Sequence, residues 1–273
     1  MKKTLLIVSL VAIQAPAAFS QDVLDTPLAD ADADLAKQLA NPISSLISVP
    51  IQMNYDDGYG PTGDGSVLRT NIQPVVPFKL NDNWNLISRT ILPVIEQDDL
   101  PIPGSSEFGL GDVVQSFFFS PKDPCNGWIW GAGPVLLLPT ATDSVLGGEK
   151  WGIGPTFVAL KQSGPWTTGF LANHIASFAG EGSRDDINAT FLQPFVSYIT
   201  ASKTTYSLNA EATYDWEASQ WSIPLNLNVS QLIKIGNQPI SIGAGVRYWA
   251  ESPENGPEDW GFRLQVTFLF PKS

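Results

Sequence analysis

Residues 206–229 read YSLNAEATYDWEASQWSIPLNLNV, and their side chains change character at almost every step. Tyr206, Leu208, Ala210, Ala212, Tyr214 and Trp216 are separated by Ser207, Asn209, Glu211, Thr213 and Asp215. Beyond a short polar turn, Trp221, Ile223, Leu225, Leu227 and Val229 alternate with Ser222, Pro224, Asn226 and Asn228. A period of two belongs to the strand, and it collects the apolar side chains on one face of a hairpin and the polar ones on the other. A hairpin of this kind has two homes. In a soluble barrel or sandwich the apolar face is the core; in an outer-membrane barrel it faces lipid and the polar face lines the lumen.

The pattern recurs along the chain. Ile47, Val49, Ile51, Met53 and Tyr55 share one face, as do Leu68, Ile72, Val76, Phe78 and Leu80 opposite Arg69, Asn71, Gln73 and Lys79. Further segments open at Trp84, Gly111, Trp128, Trp151, Trp166 and Asn188, and two more at Ile240 and Trp260 follow the hairpin. Together they predict about twelve strands of roughly 10–13 residues, long enough to cross a bilayer at a tilt, in an all-β, antiparallel transmembrane barrel. Segments 111–120 and 166–178 carry apolar residues on both faces. Pro50, Pro74, Pro134, Pro155, Pro194 and Pro224 fall within the strands and predict local breaks or bulges in the pairing.

The connections decide between the two homes. Short ones at 81–83, 161–165 and 200–203 alternate with long ones at 56–65, 96–109, 140–149, 178–187 and 250–259. Short turns on one rim and long loops on the other are the arrangement of outer-membrane barrels, with the short turns periplasmic. Trp84, Trp128 and Trp166 open strands at the short-turn rim, whereas Trp151, Trp216, Trp221 and Trp260 lie at the long-loop rim. Two aromatic belts at headgroup depth explain that sorting; a soluble sandwich gives no reason for it. The apolar face is therefore expected to meet lipid.

Residues 1–20 read as a secretory leader: Lys2 and Lys3, an apolar run from Leu5 to Ile13, and Ala18-Phe19-Ser20 before Gln21. Such a leader, cut after Ser20, is expected to export the chain across the inner membrane, and the barrel pattern then places it in the cell outer membrane; no stretch has the ~18 apolar residues of a membrane-spanning helix. Loss of the leader's two lysines leaves 13 bases against 27 acids, a charge of −14, which argues against nucleic acid as a partner. Cys125 stands alone and can form no internal disulfide. Residues 21–42 precede the barrel (43–273); DADLAKQLA there can form one or two helical turns, and the segment is either a periplasmic tail or a plug of the lumen.

Several stretches taken together resemble a known family. NPISSLISVPIQMNY from Asn41, GLGDVVQSFFFSPK from Gly109, LLLPTATDSVLGGEKWGIGPTFV from Leu136, LQPFVSY from Leu192 and FRLQVTFLFPK from Phe262 are similar to outer-membrane proteins grouped under a MetA pathway of phenol degradation, whose members are often labelled transporters. The resemblance covers about Asn41 to Lys272. It implies a secreted barrel that moves small, aromatic or hydrophobic compounds across the outer membrane, and it supplies no catalytic or ligand-binding residue. The expected partners are a small-molecule solute, outer-membrane lipids including lipopolysaccharide, and the outer-membrane assembly machinery. Phe270 ends the last alternating stretch, three residues before Ser273, where many such barrels finish on an aromatic residue.

The inward parity holds the candidate functional residues. Arg69, Arg89, Arg247 and Arg263 fall on predicted strands 2, 3, 11 and 12, neighbours across the closure, and Glu211 and Asp215 fall on strand 9. Asp112 is a further candidate from strand 4. Facing walls of opposite charge would set a transverse field that tunes selectivity; the other reading is that the charges pair and fill the lumen. The single histidine, His174, has no serine set to activate it on its neighbours' outward positions, so the chain is expected not to be an enzyme. One histidine and one distant cysteine make no zinc site, and GSSEFGLGD and LGGEKWGIG lack the Gly-Lys-Ser/Thr signature of a phosphate loop, so no cofactor is expected. Acidic loops could hold divalent cations against anionic lipid headgroups.

Overall fold

A computed structural model describes residues 27–271. One helix, α1 (Pro27–Leu39), precedes twelve antiparallel strands. These are β1 (Ile47–Tyr59), β2 (Gly65–Ile72 and Val75–Lys79), β3 (Trp84–Asp98) and β4 (Ser106–Leu110 and Val113–Pro121). Next come β5 (Trp128–Leu138), β6 (Lys150–Ser163), β7 (Trp166–Gly180) and β8 (Asn188–Ile199). The last four are β9 (Thr204–Ala210 and Ala212–Asp215), β10 (Gln220–Ile235), β11 (Gln238–Glu251) and β12 (Trp260–Phe270). Each strand pairs with its sequence neighbours, and β12 returns to β1 from Ile47 opposite Phe270 to Tyr55 opposite Phe262. The ring has no free edge, as backbone groups in lipid require. No helix among the described residues is long and apolar enough to cross a membrane. The predicted leader, with residues 21–26, lies outside the described residues.

Three strands are interrupted where proline removes an N–H donor from the ladder. Pro74 splits β2, and Pro224 of β10 faces the break at Glu211 in β9, where only the Glu211 N–H to Pro224 C=O bond survives (3.0 Å). In β4, Ile91 faces Val114 but Val94 faces Leu110, so β4 carries one extra residue, a bulge at Asp112 beside Pro93. Closure survives each interruption.

Exposure settles which face is outside. On β10, Leu225, Leu227 and Val229 are 40%, 51% and 41% exposed, while Asn226 between them is 0% exposed. The apolar row faces outward, the inverse of a soluble sandwich. Aromatic clusters mark both rims of that face. Trp84 with Trp130 (5.9 Å between ring centres) and Trp166 with Tyr198 (4.8 Å) lie at the end that carries the short turns. Tyr214 with Trp216 and Trp221, and Tyr248 with Trp260, lie at the other. The fold is that of an outer-membrane β-barrel. Four of its long connections are shorter than the sequence pattern suggests, at 60–64, 99–105, 181–187 and 252–259, because the strands run further at that rim, while 139–149 keeps its expected length.

The inside is two-sided. From β9 round to β1 the inward positions are mostly polar, with Leu232 and Leu269 as exceptions near the short-turn rim. From β3 to β7 many are not: Ile87, Phe118, Val158 and Leu160 are fully buried, and with Val75 and Leu171 they enclose Ile43 from the segment before β1. Since the outer face is solvated by lipid, this interior cluster is where expulsion of water acts, at roughly 1.5–3 kcal/mol per buried large side chain. It also accounts for the stretches 111–120 and 166–178 that read apolar on both faces.

The helix follows from its sequence. Pro27 opens it, where its missing N–H costs nothing, Lys37 complements its last turn, and Pro42 stops continuation. Asn41 accepts the Ile43 N–H at 3.0 Å and turns the chain into the barrel. Leu35 and Leu39 pack against Leu46, Leu269 and Leu232, the last two pointing inward near the short-turn rim. Lys234 pairs with Asp32 (2.7 Å), and the Gln162 amide donates to the Lys37 carbonyl (2.9 Å). The helix therefore lies in the lower mouth of the barrel.

Candidate functional site in the lumen

The upper lumen is crossed by a hydrogen-bonded charge network. Arg247 on β11 donates through Nε to Asp56 (3.0 Å), and through Nη1 to Asn54 (3.2 Å), Asn226 (3.2 Å) and Glu211 (3.3 Å). Arg263 on β12 donates to Asn54 (2.7 Å) and Glu211 (2.9 Å). Trp249 donates its indole N–H to Asp56 at 2.9 Å, and its ring lies 5.4 Å from the Arg247 guanidinium carbon. Two guanidiniums meet two carboxylates, so the cluster is neutral and its buried charges are matched. Each arginine lies across the sheet from a glycine, Arg247 from Gly261 and Arg263 from Gly245. A Cβ at Gly261 would strike the Asp56 carboxylate, so the glycine of GFR makes room for the network, while a Cβ at Gly245 in GVR would strike Asn228 just below it.

Of the predicted lumen residues, the structure brings Glu211, Arg247 and Arg263 together. Asp215 stands apart: it sits exposed at the β9–β10 turn and accepts the N–H groups of Glu217 (2.9 Å) and Ala218 (3.1 Å). Arg69 stays exposed on the inward face of β2, without an ion pair among the described residues. Asp112 is spent on the outer rim, where it accepts the N–H groups of Ala141 (3.1 Å) and Gly148 (2.7 Å) and pins loop 139–149. Arg184 clamps the same loop through the carbonyls of Ser144 (2.9 Å) and Gly147 (2.5 Å). Asn54, Asp56 and Trp249 were missed in the sequence. The alternation from Ile47 through Met53 and Tyr55 places Asn54 and Asp56 inward, and β1 runs on to Tyr59, past the point where the sequence pattern puts Asp56 in a connection.

Beneath the network lies a cavity of about 270 Å³. Asn209, Asn228 and Gln265 line it one inward position below Glu211, Asn226 and Arg263. Its floor is Ala36 to Ser44, and Leu171, Val75 and Phe195 give it an apolar side. Arg89 reaches it from β3 with one hydrogen bond, to Gln73 at 2.9 Å.

His174 lies on the outer wall, its Nδ1 2.9 Å from Thr190 Oγ1, which also accepts the Trp216 indole N–H at 2.9 Å. Cys125 is exposed in the turn before β5. Among the described residues no three His, Cys, Asp or Glu side chains gather as metal ligands.

No family model matches the chain, and no curated protein matches it. Solved structures do. The COG4313 outer membrane channel from Pseudomonas putida F1 superposes with a TM-score of 0.64 at 14% identity, over 83% of this chain and 96% of that one. The β domain of the Bordetella autotransporter BrkA (TM-score 0.48, 10% identity, 83% and 100% covered) and the outer membrane phospholipase of Salmonella typhi (0.47, 11%, 88% and 96%) are more distant. At these identities the likeness is one of fold: the chain is similar to outer-membrane barrels.

Proposed function

We propose that the protein is a passive outer-membrane channel for a small solute, opened by displacement of the segment that precedes β1. The observation that carries this reading is the cavity inside the barrel, lined by both polar and apolar side chains, with the charge network above it and residues 36–44 below. A chain that needed only a stable wall could fill this space; this one leaves room for a solute. The helical part of the floor is lightly fastened, and Ile43 is the deep anchor that follows it. One partly exposed ion pair, one hydrogen bond from the Gln162 amide and the contacts of Leu35 and Leu39 hold the helix. The likeness in fold to a barrel described as a channel supports the reading, as does the motif resemblance to barrels labelled transporters. Phe191, Phe195 and Leu171 on the inner wall suit an aromatic or apolar solute body. We read the chain as non-catalytic: His174 meets a hydroxyl, Thr190, but no carboxylate orients its ring among the described residues.

A second reading is favoured by the neutral network itself, which can seal the lumen and leave a closed barrel with a structural or surface role. Solute flux into liposomes separates the two. The mature chain should pass a small solute slowly, and a variant lacking residues 21–42 should pass it faster. No flux from either variant would support the sealed barrel and sink the channel.

A further inference from the structure

Two lumen arginines lack an ion pair among the described residues: Arg69, which is exposed, and Arg89, which is half-buried against the cavity. Arg247 and Arg263 share Asp56 and Glu211, whereas Arg89 has no carboxylate within ion-pair distance among the described residues and spends one of its N–H groups on Gln73. Glu211, already shared by the other two arginines, acts on it only through space. A guanidinium presents five N–H donors and cannot shed its charge. Half-buried in the lumen wall and without a carboxylate beside it, it favours an anion as partner.

The cavity around it is built from groups with unspent hydrogen bonds. Gln52, Gln193 and Asn228 line it, and their side chains make no hydrogen bond among the described residues. Ser197, also in the lining, has a buried hydroxyl without a hydrogen-bond partner among the described residues. Such groups in a folded wall are ordinarily satisfied by water or by a ligand. Val75 offers apolar contact beside Arg89, and Leu171 and Phe195 offer it from the wall across the lumen. The volume, about 270 Å³, lies just under the ~300–1,000 Å³ of pockets that hold drug-sized ligands, so it admits a single ring or a short chain.

From this we infer that the lumen holds a binding site for a small organic carboxylate, whose anionic end is taken by Arg89 and the open amides and whose apolar body lies against Phe195 and Leu171. A guanidinium takes a carboxylate by two parallel N–H bonds, which fixes its orientation as well as its charge. The inference names the solute class of the proposed channel and so rests on that reading.

The test is calorimetric titration of the full mature chain in detergent micelles with benzoate, with benzamide as its neutral counterpart of the same shape, and with inorganic phosphate. Benzoate should bind at least about tenfold more tightly than benzamide, the size of one charge-assisted hydrogen bond. Phosphate, which has the charge without the apolar body, should bind more weakly than benzoate. Arg89→Gln should erase the preference for benzoate over benzamide, and Arg89→Lys should keep part of it. Equal affinity for benzoate and benzamide in the unaltered chain, or binding of neither, overturns the site. Phosphate binding as well as benzoate would overturn the role of the apolar wall. The comparison within the unaltered chain stands even where Arg89→Gln fails to fold. Because binding is read in micelles, a barrel that binds benzoate but passes no solute would sink the channel alone. Flux without benzoate preference would sink this site alone.

Discussion

The lumen is obstructed twice, and the two obstructions are made of opposite materials. Above, buried charges from β1, β9, β11 and β12 are held by seven hydrogen bonds, three between the charges themselves and four that involve Asn54, Asn226 or the Trp249 indole. Below, a helix rests on leucines, with one ion pair whose side chains are part-exposed to water. Loss of one charge from the upper cluster strands another in a dry place. Release of the helix returns its polar groups to water and costs only modest apolar contact. A barrel that opens should therefore open from below, and the upper network should act as a fixed constriction.

The largest effect is expected from Glu211→Gln. It leaves Arg263 without a carboxylate partner and should cost about 3–5 kcal/mol, read as a lower urea midpoint for loss of the heat-resistant folded band. Ile43→Ala comes next. It leaves a void among Val75, Ile87, Phe118, Val158, Leu160 and Leu171 and should cost about 2–4 kcal/mol by the same measure, with increased solute flux. If Ile43→Ala lowered stability without changing flux, the cluster would be a structural core and no part of the closure. Lys234→Ala should cost under ~1 kcal/mol, as part-exposed pairs do, yet lengthen open times in bilayer recordings.

The smallest effect is on the outer rim. Asp186 is held below its ordinary range, chiefly by the hydrogen bond from Lys150 at 3.1 Å. A depressed carboxylate adds stability above its unfolded pKa and loses it as pH falls through the folded value. The clamp on residues 181–187 should thus be complete at neutral pH and weaken only below about pH 4. Amide exchange across the loop, corrected for the intrinsic effect of pH, should show protection lost in that range while the strands stay protected.

Much of this architecture was legible in the sequence because period-two alternation is a local signal that lipid and lumen both enforce. The twelve strands, the outward face and the two aromatic rims follow from it. The inward placement of Glu211, Arg247 and Arg263 follows as well. Their union does not, because which inward residues meet depends on tilt and register around the ring, and parity fixes neither. Asp56 was lost at a strand end, where polar residues on both faces hide the period. Asp215 kept the right parity, but a turn offered it two backbone donors closer than any arginine. The apolar half of the lumen showed itself only as stretches with no polar face, and nothing local told that Ile43 would fill it.

The most direct test of the account is a reversible tether between the helix and the wall. Cysteines at positions 32 and 234, in a Cys125→Ser background, replace the Asp32–Lys234 pair and are joined by a short reducible bis-thiol linker. Single-channel conductance is recorded in a planar bilayer before and after reduction. Openings that vanish on cross-linking and return when the linker is cut are the predicted result. Conductance that ignores the tether would contradict a gate at the lower mouth.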